Sequence, residues 1–215
     1  MRLHAYHRSS TSYRVRIALN LKALEYETVP VDLLKAEQRS EAYRTLNCFA
    51  GVPALEVDGR VYAQSLAILE WLDERYPERR LLPSAIEERF AARELAYAVA
   101  TELHAPLNSP VLTYLEQDLG LSKEAVRVWY HRWLGKTLAG VEAKLEERRS
   151  GDFLFDTPGL FEAVLIPQLY NARRFAFDLA VMPRITRIEA ACLALPAFAA
   201  AHPDNQPDAP QKVPA

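Results

Sequence analysis

The stretch "GVPALEVDGRVYAQSLAILEWLDERYP", Gly51 to Pro77, carries the reading of the fold. Two short apolar runs, "VPALEV" and "RVYA", flank Asp58-Gly59, the strongest turn signal in the chain, because this pair tolerates the left-handed backbone of a two-residue hairpin. Ser65 then stands where a helix N-cap is expected, Leu66, Ile68, Leu69 and Leu72 supply an apolar side, and Pro77 is the stop. Strand, strand, helix is the expectation.

Upstream, Leu3 to Tyr6 begins as a short strand, and Thr11 to Lys22 carries Val15, Ile17, Ala18, Leu19 and Leu21 at spacings that bury one side of a helix. Residues 26 to 34, "YETVPVDLL", alternate as a second strand, and Glu37 to Leu46 reads as helix. The first 77 residues thus spell βαβ-α-ββα. Downstream, "PERRLLPSAIEER" has two prolines and clustered charge without periodicity, which places a domain boundary near residue 80. Strand signals then vanish, and helical patterns run over about 86 to 117, 122 to 149, 160 to 174 and 181 to 199. The expected architecture is an α/β domain over residues 1–80 and an all-α domain over 86–215, with the proline-rich tail "HPDNQPDAPQKVPA" irregular.

The 215 residues can bury a sizeable core without metals or disulfides, and a net charge of -2 offers no basic footprint for nucleic acid. No apolar run nears the length of a membrane span, and "MRLHAYHRSS" has no leader-like core, so a cytoplasmic protein with no membrane or nucleic-acid partner is expected. Cys48 and Cys192 show no CxxC pairing, and the five histidines are scattered, so neither a disulfide framework nor a metal site is expected.

Three junctions could carry chemistry. In "HRSSTSYRVRIALNLK", Ser9, Ser10 and Thr11 fall between the first strand and first helix, where free N–H groups and the positive helix end favour an anion. A lone N-cap also explains them. Pro53 follows Val52, and a cis bond there would turn the Val52 backbone outward, although an ordinary trans proline entering a strand fits as well. Gln64-Ser65 sets an amide beside a hydroxyl at the start of the third helix, where a simple cap is again the plain reading. The arrangement brings these three junctions toward one sheet edge.

At this point the chain resembles a known family. The order of "RSSTSYRVRIAL", "TLNCFAGVPALEVDGRVYAQSLAILEWLDERYPERRLLP", "TPGLFEAVLIPQLYNARRF" and "HPDNQPDAP" is similar to zeta-class glutathione transferases of the maleylacetoacetate/maleylpyruvate isomerase type, over nearly the whole length. Val-Pro with Gln-Ser marks the broad superfamily; Arg-Ser-Ser before RVRIAL and the late ARRF narrow it. The resemblance implies the glutathione transferase fold: a thioredoxin-like domain that binds glutathione and an all-α domain that shapes the electrophile pocket. It implies glutathione as cofactor, a small dicarboxylic keto acid as substrate, cis-trans isomerisation of a maleyl group in aromatic catabolism, and a homodimer.

Residue by residue, the resemblance gives Ser9 the hydrogen bond to the glutathione sulfur, with Ser10 and Thr11 beside it, and Val52, before Pro53, the backbone pairing with the cysteinyl part. Gln64 and Ser65 match the grip on the γ-glutamyl carboxylate, Gln38 the glycyl end, and Glu102 a contact to the glutathione amine across the dimer. Arg8, His104, Asn108 and Arg174 match substrate-facing positions; Arg14 and Arg16, inside the first helix, are expected to belong to the scaffold. A thiol with a reference pKa of about 8.5 needs such donors and a helix N-terminus to stay ionised near neutrality.

The sequence also departs from the pattern. Thr11 stands where maleylacetoacetate isomerases carry Cys, Pro110 where one maleylpyruvate enzyme type has Arg, "NCFAGVP" replaces the commoner Asn-Pro start, and Gly159 with Glu162 replaces Thr and Asp at the late cap. Two other readings therefore stay open: a generic glutathione S-transferase or dehalogenase that consumes glutathione, and a non-catalytic module that keeps the fold.

Overall fold

The computed structural model describes residues 1–210 of the 215-residue chain. Its sheet holds β1 (Arg2–Ala5), β2 (Glu27–Pro30), β3 (Ala54–Val57) and β4 (Arg60–Ala63) in the order β2-β1-β3-β4. β1 pairs parallel to β2, with Leu3 opposite Thr28, and antiparallel to β3, with Leu3 opposite Leu55. Asp58 (φ 50°) and Gly59 (φ 75°) both take the left-handed backbone, which is the turn chemistry expected of Asp-Gly between β3 and β4. β2 stops at Pro30 rather than reaching residue 34, and Pro30, which has no N–H to donate, sits on the edge strand opposite Ala5.

The helices of this region are α1 (Ser10–Leu21), α2 (Glu41–Leu46) and α3 (Ser65–Arg75), and the expected helix from Glu37 divides into a 3₁₀ turn (Glu37–Arg39) and α2, because Ser40 accepts the Tyr43 N–H as a cap. α1 packs on α3, and Val15, Ile17, Ala18, Leu19, Ile68, Leu69 and Leu72 join Leu3, Ala54 and Leu55 in a closed core. One expectation is corrected here. Ser65 does not cap α3 but is its first residue; Gln64, at φ 69°, is the cap, because the left-handed turn carries the chain directly from β4 into the helix.

The chain forms two compact units, Pro83–Cys192 and a first unit in which Met1–Leu82 is joined by the chain from Leu193 onward. An all-α domain extending through residue 215 is therefore corrected: α10 (Pro196–Ala201) packs along α1, Asn20 Nδ2 donates to the Ala197 carbonyl at 2.9 Å, and Arg16 Nε donates to the Ala201 carbonyl at 2.9 Å. Side-chain donors on α1 thus satisfy backbone carbonyls of the returning helix. The tail is also more ordered than proline content suggests, with a 3₁₀ turn at Pro203–Asn205 and Gln206 Nε2 donating to the Ala200 and His202 carbonyls; residues 211–215 of that tail lie outside the described residues.

The second unit is helical: α4 (Ile86–Tyr97), a π-helical stretch Ala98–His104, α5 (Ala105–Leu107), α6 (Ser109–Thr113), a second π-helical stretch Tyr114–Asp118, α7 (Lys123–Glu147), α8 (Leu160–Arg174) and α9 (Pro183–Leu193). The helix expected over 86 to 117 breaks at Asn108, which is extended and accepts the Val111 N–H at 3.1 Å, while Pro110 in the first turn of α6 has no N–H to satisfy. The pattern over 181 to 199 likewise splits between α9 and α10 at Leu195-Pro196, since the residue before proline avoids the helical region. The core of this unit gathers Leu95, Val99, Leu103, Leu134, Leu138 and Leu165, with Tyr130 stacked on Phe175 at 3.7 Å. Among the described residues no helix is long and apolar enough to cross a membrane.

Candidate active site

Ser9 ends the β1–α1 connection as the N-cap of α1, with extended backbone (φ -67°, ψ 118°) and its Oγ accepting the Ser12 N–H at 3.2 Å. Thr11, the second residue of α1, donates its only hydroxyl proton to the Val52 carbonyl at 2.8 Å. The 2.9 Å contact between Ser9 Oγ and Thr11 Oγ1 must therefore carry the Ser9 proton. Ser9, Thr11 and Val52 form a directed chain, Ser9 hydroxyl to Thr11 hydroxyl to backbone carbonyl, at the positive end of a 12-residue helix. Ser10 is buried as the first helical residue. The Val52-Pro53 bond is cis, so of the two isomers left open by the sequence the structure adopts the rarer.

The second cluster lies at the start of α3. Ser65 is buried, and its Oγ accepts from Arg14 Nη1 at 3.3 Å. Arg14 is only 2% exposed, its Nε and Nη2 have no hydrogen-bond partner among the described residues, and burial lowers its pKa to about 9. A buried guanidinium with two idle donors is a costly group, and it stands beside the hydroxyl that the family resemblance assigns to a carboxylate. Arg14 is thus the residue that sequence reasoning placed in the scaffold and the structure places behind Ser65. The available signal was a cation set among Val15, Ile17 and Ala18 on the face of α1 that has to be buried. Gln64 is exposed in the left-handed turn, and Gln38 is half-buried in the 3₁₀ turn before α2, its buried Oε1 without a partner among the described residues.

Arg8 is half-buried on the same β1–α1 corner, with Nη2 3.4 Å from the Tyr6 hydroxyl and its guanidinium carbon 5.9 Å from the Tyr6 ring centre. Arg16, by contrast, is fully buried and spent on backbone, donating Nη2 to the His7 carbonyl at 2.9 Å besides its bond to Ala201, which suits the scaffold role expected of it.

The remaining expected site residues belong to the second unit, and each has a partner inside it. Glu102 is exposed and pairs with Lys136 at 3.2 Å; His104 Nδ1 lies 3.0 Å from Gln168 Nε2, so the amide donates and the ring accepts. Asn108 uses its side-chain oxygen to cap α6. Arg174 is exposed, with Nη1 3.3 Å from Asn171 Oδ1 and its guanidinium carbon 5.9 Å from the Tyr170 ring centre, whereas its neighbour Arg173 makes a two-pronged pair with the buried Glu189 carboxylate. Both adjacent arginines are exposed, but Arg173 is committed to a carboxylate and Arg174 is not. The late cap keeps the reciprocal half of a capping box: Glu162 accepts the Gly159 N–H at 2.8 Å, and also the Leu154 N–H at 2.7 Å.

Comparison with known proteins identifies the family. Residues 8–75 match the family model described as "Glutathione S-transferase, N-terminal domain". The maleylacetoacetate isomerase of Pseudomonas aeruginosa is 46% identical over 213 residues, covering 98% of this chain and 99% of its own. A solved maleyl pyruvate isomerase, titled a bacterial glutathione S-transferase of the zeta class, superposes with a TM-score of 0.95 at 40% identity, covering 98% of this chain and all of that one. The maleylacetoacetate isomerase of Anaeromyxobacter dehalogenans 2CP-1, solved with dicarboxyethyl glutathione and citrate in its active site, superposes with a TM-score of 0.87 at 43% identity, covering 98% and 97%. The chain belongs to the glutathione transferase superfamily and, within it, to the zeta-class family of maleylacetoacetate and maleylpyruvate isomerases.

Proposed function

We propose that the protein is a glutathione-dependent isomerase that converts a maleyl keto acid to its fumaryl form. The observation that carries the reading is the hydroxyl chain Ser9–Thr11–Val52 at the N-terminus of α1. The residues fit the cofactor on an observation independent of the relatives: Arg14, whose Nη1 donates to Ser65, keeps its buried Nε and Nη2 without a partner among the described residues, the setting in which an arriving carboxylate offsets a standing desolvation cost. When bound, glutathione supplies a thiolate that adds to the maleyl double bond, permits rotation about the resulting single bond, and leaves unchanged.

The protein's own groups do the rest. Rotation about the Ser9 Cβ–Oγ bond turns its proton from Thr11 toward an anion at the helix end, while Thr11 stays fixed by the Val52 carbonyl. The N–H groups of the first turn of α1 and the helix dipole favour that anion further. Ser65 and Gln64, with Arg14 behind them, are assigned to the γ-glutamyl carboxylate, the backbone of Val52 before Pro53 to the cysteinyl part, and Gln38, whose Oε1 lacks a partner, to the glycyl end. Arg8 and Arg174 are assigned to the substrate carboxylates and the charge that develops on the keto group, since neither is committed to a carboxylate among the described residues. His104, whose Nδ1 is held by Gln168, and Asn108 complete the electrophile side; Glu102 is assigned to the glutathione amine of a partner subunit in a cytoplasmic homodimer.

The test is a spectrophotometric assay of maleylacetoacetate and of maleylpyruvate, with and without glutathione, for the wild type, Ser9→Ala and Arg174→Ala. Strict dependence on glutathione with none consumed is expected. Activity that persists without glutathione overturns the mechanism, and stoichiometric loss of free glutathione identifies a conjugating transferase instead. Light scattering tests the homodimer, and a monomer removes the role of Glu102 across subunits.

A further inference from the structure

We infer that Asp208, in the returning C-terminal segment of the first unit, is a positioning residue for the corner that carries Arg8 and Ser9. The inference rests on the reading of Ser9 and Arg8 given above. Its structural basis is a clasp between the two ends of the chain. One carboxylate oxygen of Asp208 accepts the His7 backbone N–H at 2.8 Å and lies 3.3 Å from His7 Nδ1, so the ring holds its proton on Nδ1 and donates it to the same oxygen. His7 and Asp208 are separated by 201 residues of chain, and their side chains are 8% and 14% exposed.

From the other side, Arg16 holds the His7 carbonyl at 2.9 Å, so both polar groups of the His7 backbone are fixed by charged side chains from outside the corner. Two consequences reach the site. The Ser9 N–H bonds to the Tyr6 carbonyl at 3.0 Å, which makes Tyr6 to Ser9 one tight turn with His7 inside it. The His7 ring packs on Tyr6 at 4.4 Å, and Tyr6 in turn contacts Arg8 through its hydroxyl and its ring. Asp208 therefore sets the turn that aims Ser9 and, through His7 and Tyr6, the platform under Arg8.

A carboxylate is well suited to this. Two donors converge on one of its oxygens, a stronger arrangement than a neutral acceptor provides, and its other oxygen, Oδ1, is buried without a hydrogen-bond partner among the described residues. Such an acceptor is expensive to keep for packing alone, and Gln206 already ties the tail to Ala200 and His202 without its help.

The test compares full-length wild type, Asp208→Ala and Asp208→Asn by three measurements: the ultraviolet thiolate absorbance of bound glutathione against pH, kcat and KM for the keto acid, and thermal unfolding. For Asp208→Ala the expected result is a thiolate midpoint raised by about one pH unit and kcat lowered about tenfold, with KM changed less, because a misdirected donor weakens the thiolate. Asp208→Asn, whose amide oxygen still accepts the His7 N–H, recovers most of both. A variant whose only change is a lower Tm, with midpoint and kcat intact, overturns the proposal. Should Asp208→Ala fail to fold, Asp208→Glu, which carries the carboxylate one methylene further, decides the matter by the same midpoint: displacement supports the proposal and an unmoved value overturns it. A wild-type chain that shows no thiolate signal with glutathione overturns the reading of Ser9 itself, whereas a wild-type signal matched by Asp208→Ala overturns Asp208 alone.

Discussion

The guanidinium of Arg14 and the hydroxyl of Ser65, 51 residues apart in sequence, meet at 3.3 Å in the buried seam between α1 and α3. The contact leaves two arginine nitrogens, Nε and Nη2, without a partner among the described residues, and burial lowers the arginine pKa to about 9. Stability and ligand binding should therefore pull in opposite directions at this residue. Arg14→Met, which fills similar volume without charge, is expected to leave stability unchanged or raise it by about 1–3 kcal/mol while weakening glutathione binding at least about tenfold. Chemical unfolding and titration calorimetry on the same variant measure both; a variant that binds glutathione like the wild type removes Arg14 from the carboxylate site.

Ser9 and Thr11 separate by the same logic. Ser9→Ala deletes the donor and is expected to lower kcat by about 10²–10³, besides costing about 1 kcal/mol as a lost helix cap. Thr11→Val keeps the shape but removes the link to Val52, and a loss of about tenfold is expected, with Thr11→Ser close to wild type. Equal rates for the valine and serine variants would show that the hydroxyl of Thr11 takes no part. Thr11→Cys, the residue that the family resemblance leads one to expect at this position, tests substrate choice through the ratio of kcat/KM for the two maleyl acids.

Glu162 links stability to pH. Burial pushes its carboxyl above the usual value of 4.5, while the N–H groups of Leu154 and Gly159 pull the other way and lose. An acid whose folded pKa lies above the unfolded one binds more protons when folded, so its contribution is complete below about pH 4.5 and is lost as pH rises through the folded value. Glu162→Gln removes that dependence and, having one oxygen for two N–H donors, costs about 1–3 kcal/mol. In urea unfolding across pH, the wild type's advantage over Glu162→Gln should shrink as pH rises; a widening gap contradicts the assignment.

The two cysteines should behave differently toward a thiol reagent. Cys48 is exposed, whereas Cys192 is buried and its thiol is pushed well up, first by burial and then by the Glu162 and Glu189 carboxylates. One equivalent is expected to react in the native protein and two in denaturant, with Cys48→Ser abolishing the native reaction and leaving isomerase activity unchanged. Fast labelling of two thiols without denaturant would show that α9 opens in the native state.

By itself the sequence determined what is written in local periodicity and turn chemistry: the βαβ-α-ββα order, the Asp58-Gly59 hairpin, the helix that places Ser9 at its N-terminus, and the family to which the motifs point. These depend on residues a few positions apart, where spacing alone dictates which side is buried. Its errors lay where spacing is silent. Ser65 has the composition of a cap, yet the left-handed Gln64 takes that place and frees the Ser65 hydroxyl for Arg14. Arg14 and Arg16, two residues apart on one helix, looked alike, and only packing made one a partly unsatisfied cation behind Ser65 and the other a clamp on three backbone carbonyls. The proline-rich tail looked irregular because its order comes from distant donors and acceptors, among them His7 and Asp208. Partners far apart in the chain carry no periodic signature, and the free energy of burying a charge depends on what the rest of the fold brings against it. Tertiary structure therefore decided which hydroxyl, which arginine and which carboxylate can act.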